Sequence, residues 1–260
     1  MKKILSTLLA VVMMITGVCM FASCDAVSAV SAIAQADQAL QNNPYRVTLT
    51  MDFRCDNAQI NEILNTMNME IPVTVDGKDL AMSMTTSLMG FSATANMTIV
   101  DKVLYYDISA LGQGVKMRTA LTEMQYEEFF KDSGSKMPVD PTQFKSLSLQ
   151  SSGGKHVIAC SGITSEGLSS MNELLSDTLS IIGASASVGD LAFVLTISGG
   201  KYETMELSAV YTVTVGGQTH VVNMKMTANY SYDNIQPITK PADASSYKDV
   251  PYSSIRDLLG

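Results

Sequence analysis

Absences narrow the field first. The 260 residues include only two histidines, His156 and His220. They contain no HExxH, no paired CxxC and no G-x-S-x-G. Motif-borne zinc hydrolase, thiol redox and serine esterase chemistry therefore has no support. Gly153-Gly154-Lys155 lacks the remainder of a phosphate loop. There is no run of basic residues either. Lys and Arg number 17 against 25 Asp and Glu, and nucleic-acid phosphates need clustered cations. No internal repeat occurs, and after residue 23 no stretch is long and apolar enough to span a membrane. Charged residues make up only 16%, yet aliphatic residues are plentiful, so the composition is that of a folded chain. A serine, a histidine and an acid drawn from distant positions would still make a hydrolase, which leaves that class a minor alternative. Glu127, Glu128 and Asp132 read as the solvated side of a helix rather than a catalytic pair.

The amino terminus is informative. Lys2 and Lys3 precede an apolar stretch from Ile4 to Phe21, and Phe21-Ala22-Ser23-Cys24 follows. A positive end, an apolar middle and small residues before a cleavage point form a secretory signal over residues 1–23. The final four residues resemble the lipobox of bacterial lipoproteins, although Phe21 stands where an aliphatic residue is usual. The resemblance implies cleavage between Ser23 and Cys24, a diacylglyceryl group on Cys24, and extracytoplasmic anchoring to a bacterial membrane. Each buried methylene of such a chain contributes about 0.8 kcal/mol. Without the signal the body carries 15 bases and 25 acids, near −10.

Beyond the signal the chain divides into a tether and helix over 24–43 and one domain over 44–260. The domain reads as antiparallel strands. Tyr45, Val47, Leu49, Met51, Phe53 and Cys55 alternate with polar residues, which places one face in the core and the other in water. Met205 to Val215 and Val222 to Tyr232 alternate likewise about Gly216-Gly217, a two-residue hairpin turn. At ~3.3 Å per residue these strands approach 45 Å and must curve. Further strands are predicted over 80–88, 91–100, 103–109, 114–120, 144–151, 155–162 and 191–198, with Asp76-Gly77 a further hairpin signal. Helices are predicted over 26–41, 57–68 and 165–182, and another is opened by a Thr122/Gln125 capping box. In the first, Val30, Ile33, Ala34 and Leu40 are expected on one side. The fold class is α+β: a single strongly curved antiparallel sheet, a half-barrel, with helices on its concave apolar face.

This order, with the Cys24 lipobox, the helix before Pro44-Tyr45 and the 202–232 hairpin, resembles the LolA-like and LppX-like half-barrel lipoproteins. The resemblance implies a cavity between sheet and helices that binds acyl chains. Its expected lining is Met51, Phe53, Met82, Met84, Met205, Met224 and Met226. Methionine suits surfaces that accept varied apolar ligands, and equally fills ordinary cores. Met82-x-Met84 and Met224-x-Met226 put two thioethers on one strand face, a soft-metal arrangement that strand periodicity produces automatically. No metal or cofactor is expected. Cys55 and Cys160 could form a disulfide or remain free thiols. The expected function is binding of a lipid or other apolar molecule at the membrane without catalysis. The alternative is an envelope scaffold with a packed core that meets a protein partner.

Overall fold

The computed structural model describes residues 24–65, 69–88, 91–127, 144–165, 169, 185–215 and 217–259. The signal, the helix expected over 165–182 beyond its first residues, and the second half of the helix opened by Thr122 lie outside them.

Helix α1 (Cys24–Asn42) leads into strand β1 (Tyr45–Cys55), and a short α2 (Ala58–Asn65) follows. A meander comes next: β2 (Met69–Asp76), β3 (Asp79–Leu88), β4 (Phe91–Val100), β5 (Val103–Ala110) and β6 (Gln113–Ala120). A second meander holds β7 (Phe144–Ser152), β8 (Lys155–Ile163), β9 (Ser185–Ser198), β10 (Lys201–Val215) and β11 (Gln218–Ser231). The chain ends in a two-residue β12 (Lys248–Asp249) and α3 (Tyr252–Leu259). All twelve strands join one curved, unclosed sheet in the order β12-β6-β5-β4-β3-β2-β1-β11-β10-β9-β8-β7. Every pairing is antiparallel except β12 with β6.

Tight turns make this topology. Asp101 and Lys102 take φ of 52° and 60°, and Gly199 and Gly200 take 56° and 73°. Consecutive left-handed residues match the twist of a two-residue hairpin. The predicted capping box also forms. Thr122 and Gln125 exchange backbone-to-side-chain hydrogen bonds of 3.0 and 3.3 Å. The Ile60 N–H donates to Asn57 Oδ1 at 3.2 Å, which caps α2.

One face of the sheet carries the core. Leu49, Ile71, Leu80, Ile99, Leu104 and Leu195 are fully buried, each stabilising by about 1.5–3 kcal/mol. Helix α1 packs across β7 to β10 on that face. Its buried stripe is Ala29, Ala32 and Ala36, while Ile33 and Leu40 lie at the flanks and Ala34 faces solvent. The expected side of Val30, Ile33, Ala34 and Leu40 is thus rotated, because methyl side chains let the helix axis approach the strands where bulkier groups would hold it away.

The opposite face is covered at one end by the carboxy-terminal segment. Tyr247 packs edge-on against Tyr105 with centroids 5.3 Å apart. Arg118 grips Asp249 through two hydrogen bonds of 2.8 and 3.1 Å. The segment then passes the β6 edge and returns α3 to the main core, where Ile255 is fully buried. No helix among the described residues is long and apolar enough to cross a membrane.

Candidate functional site

The seven residues expected to line a cavity all lie on the core face, because strand partners directly opposite share a face. Met51 pairs with Met226, which faces Leu207, then Phe193 across β10 and β9. Phe53 pairs with Met224, which faces Ala209. Met82 lies between Val73 and Met97, and Met84 opposite Ala95. Met82, Met205 and Met226 are buried in the core, whereas Met51, Phe53, Met84 and Met224 are half-exposed. The face therefore divides into a sealed floor and a partly open band at the Cys55 end of β1. Cys24 opens α1, and Ser23 lies outside the described residues.

Beneath α1 the same face becomes polar in one place. Tyr202 Oη donates to Asp37 Oδ1 at 2.6 Å. The Tyr202 ring lies 5.6 Å from that of Tyr230, and Tyr45 lies 6.3 Å from Tyr230. Burial pushes the Asp37 carboxyl up to about 6, although the Tyr202 hydrogen bond acts the other way. Burial likewise raises Tyr45 to about 12, and Tyr230 well above its ordinary value. The Tyr230 hydroxyl is buried without a hydrogen-bond partner among the described residues. An orphaned hydroxyl costs about 1–3 kcal/mol. Periodicity placed Tyr45 and Tyr230 on the apolar face; Tyr202 reaches it through the register shift between Tyr202 and Thr204, and the carboxylate that meets it comes from α1, which no strand pattern reveals.

A disulfide is not made. Cys55 and Cys160 are both free thiols, the first half-buried and the second buried. Cys160 pairs with Phe193 on β9, so β9, β10 and β11 separate it from β1. Four inter-strand steps of about 4.8 Å far exceed the ~7 Å between Cα atoms that a bridge tolerates. Burial raises the Cys160 thiol to about 11, which keeps it protonated and unreactive.

The polar face holds a depression of about 430 Å³ bordered by Asp52, Arg54, Asp190, Ser208, Asn223 and Lys225, with Met224 also at its margin. Its charges are partly self-paired, Arg54 to Asp52 at 3.0 Å and Lys225 to Glu206 at 2.7 Å. Such exposed pairs stabilise by about 0–1 kcal/mol each. His156 is bonded locally, its Nδ1 lying 2.9 Å from Ser151 Oγ. Glu127 pairs with Lys78.

Sequence reasoning missed one cluster. Cys55, Asp56 and His220 each present a ligand atom within 4.8 Å of the others. The half that was visible is the adjacency of Cys55 and Asp56; the rest depends on the β1–β11 register.

No family model matches the chain, and no curated protein matches it. Similar solved structures include MucB in complex with MucA(peri), at 8% identity over 81% of this chain and 99% of that one, with a TM-score of 0.13. Another is the tesB protein of Mycobacterium avium subs paratuberculosis, at 10% identity over 80% of this chain and 86% of that one, with a TM-score of 0.14. Overlaps this slight carry no argument about fold or function.

Proposed function

We propose that the chain is a membrane-anchored extracytoplasmic lipoprotein that binds a lipid or other apolar molecule without catalysis. One observation carries this reading: the partly exposed band of Met51, Phe53, Met84 and Met224 continues directly from the buried core. Soft, unbranched side chains at the margin of a core accept apolar ligands of varied shape. In the full arrangement the curved sheet is a half-barrel, and helices fill its concave side. Acyl chains bury between them, gaining about 25 cal/mol per Å² of apolar surface removed from water. The acylated Cys24 holds the protein at the membrane, and α1 is the first element after that anchor.

Native mass spectrometry of residues 25–260, purified without detergent, tests the proposal. A stoichiometric adduct that organic extraction identifies as a lipid supports it. A clean apo mass, unchanged after incubation with membrane lipids, refutes it and favours the packed scaffold that meets a protein partner.

A further inference from the structure

The geometry points to a zinc site formed by Cys55, Asp56 and His220. Cys55 is the last residue of β1, and Asp56 begins the turn into α2. Val222 of β11 is the register partner of Cys55. His220, two residues before it, lies on the same face just past the end of β1. Two segments far apart in sequence thus deliver a thiol, a carboxylate and an imidazole to one point, with all three donor atoms within 4.8 Å of one another.

The spacing suits coordination. Cys55 Sγ is 3.3 Å from Asp56 Oδ1. In a tetrahedral sphere with Zn–S near 2.3 Å and Zn–O near 2.0 Å, adjacent donors stand about 3.5 Å apart. The sulfur and oxygen stand close to that separation, and an imidazole nitrogen lies within 4.8 Å of both. The backbone supports the arrangement. The Asn57 N–H donates to Cys55 Sγ at 3.5 Å, and the Cys55 N–H donates to Asn61 Oδ1 at 2.9 Å. An amide aimed at sulfur is the outer-shell contact that orients a ligating thiolate.

The donor set selects the ion. Mixed sulfur, nitrogen and oxygen suits zinc, whereas calcium and magnesium demand oxygen and copper(I) favours sulfur. A thiolate and a carboxylate neutralise its two charges, and binding releases the thiol proton to solvent. Three protein ligands leave a fourth position for water or an exogenous group, as in open zinc sites. Cys55 and His220 are half-buried and Asp56 is exposed, so the ion has an entry path. The bound ion would fasten the β1–α2 turn to β11 at the open end of the apolar face. This assignment is independent of any lipid.

Cobalt(II) titration of the untagged, chelator-stripped full mature chain in detergent tests it. The expected result is a near-ultraviolet thiolate-to-cobalt band that saturates at one ion per chain and is bleached by Zn²⁺. Cys55→Ser abolishes the band and Cys160→Ser leaves it unchanged. His220→Ala and Asp56→Asn each weaken affinity by at least the ~10–100-fold that loss of outer-shell support costs. Far-ultraviolet circular dichroism verifies that each variant is folded. The proposal is overturned if the parent chain gives no band. It is equally overturned if the band survives Cys55→Ser, follows Cys160, or keeps its parent affinity in His220→Ala.

Discussion

Replacing Asp37 by Asn should make the protein more stable at neutral pH and leave it unchanged in acid. Asp37 sits on α1 against the sheet, and its carboxyl is raised from 3.8 to about 6, chiefly by burial. Between those values the folded chain keeps a proton that the unfolded chain has lost. The stability contributed by the protonated group is complete below the unfolded value and is lost as pH rises through the folded one. At ~1.36 kcal/mol per pH unit the full difference is about 3 kcal/mol. The group is only half-buried, and solvent screening brings this to roughly 1–2 kcal/mol. Asparagine accepts the Tyr202 hydrogen bond without ionising, so the variant escapes the loss. The measurement is reversible urea unfolding of both proteins at pH 4, 5, 6 and 7.5, taking the difference at each pH so that other carboxylates cancel. The curves should nearly meet at pH 4 and separate by about 1–2 kcal/mol at pH 7.5. A constant difference across this range, or a variant less stable at pH 7.5, would refute the argument. Tyr202→Phe gives the converse: it strips the carboxylate of its donor and should cost more at pH 7.5 than at pH 4.

Further outcomes follow from the same geometry. Tyr230→Phe removes a hydroxyl buried without a partner, so urea unfolding should show a gain of about 1 kcal/mol. Met226→Ala opens a hole in the core beside Leu207 and Met51, and should cost about 2–5 kcal/mol. Ala32→Leu puts a bulky group where α1 touches the sheet, and thermal melts should register a loss of about 1–3 kcal/mol. Met224→Arg places charge in the half-exposed band and should abolish ligand retention in lipid extracts while membrane anchoring persists. Retained ligand in that folded variant would count against the band as the binding surface.

Much of the sheet was legible because its local signals agree with each other. Alternation placed Met51, Phe53, Met205, Met224 and Met226 on one face by parity alone, and the paired register leaves them there. The Asn57 and Thr122/Gln125 caps were readable because they need only neighbouring residues. Strand β2 was not, since Pro72 in the middle of a run argues against a strand. The structure accommodates it because the β2–β3 ladder ends at Val73 with Met82, leaving Pro72 paired on the β1 side only. The alanine stripe of α1 was hidden for a different reason: small residues are buried by close approach, which no hydrophobicity pattern announces. The thiol, carboxylate and imidazole cluster required knowing that β1 lies beside β11, a pairing that local propensity cannot supply.

That pairing also governs the order in which the molecule can assemble. Each meander, β2 to β6 and β7 to β11, pairs strands that are consecutive in sequence and can form from comparatively local contacts. The seam between them cannot. Thr50 and Thr227, which meet across it, are 177 positions apart, so β1 waits in the middle of the unfinished sheet until β11 has been delivered. Closing so long a loop is slow, and an unpaired strand flank is exposed meanwhile. The rate of folding should therefore depend on the β1–β11 seam far more than on either meander, and β11 sets the moment at which two half-sheets become one.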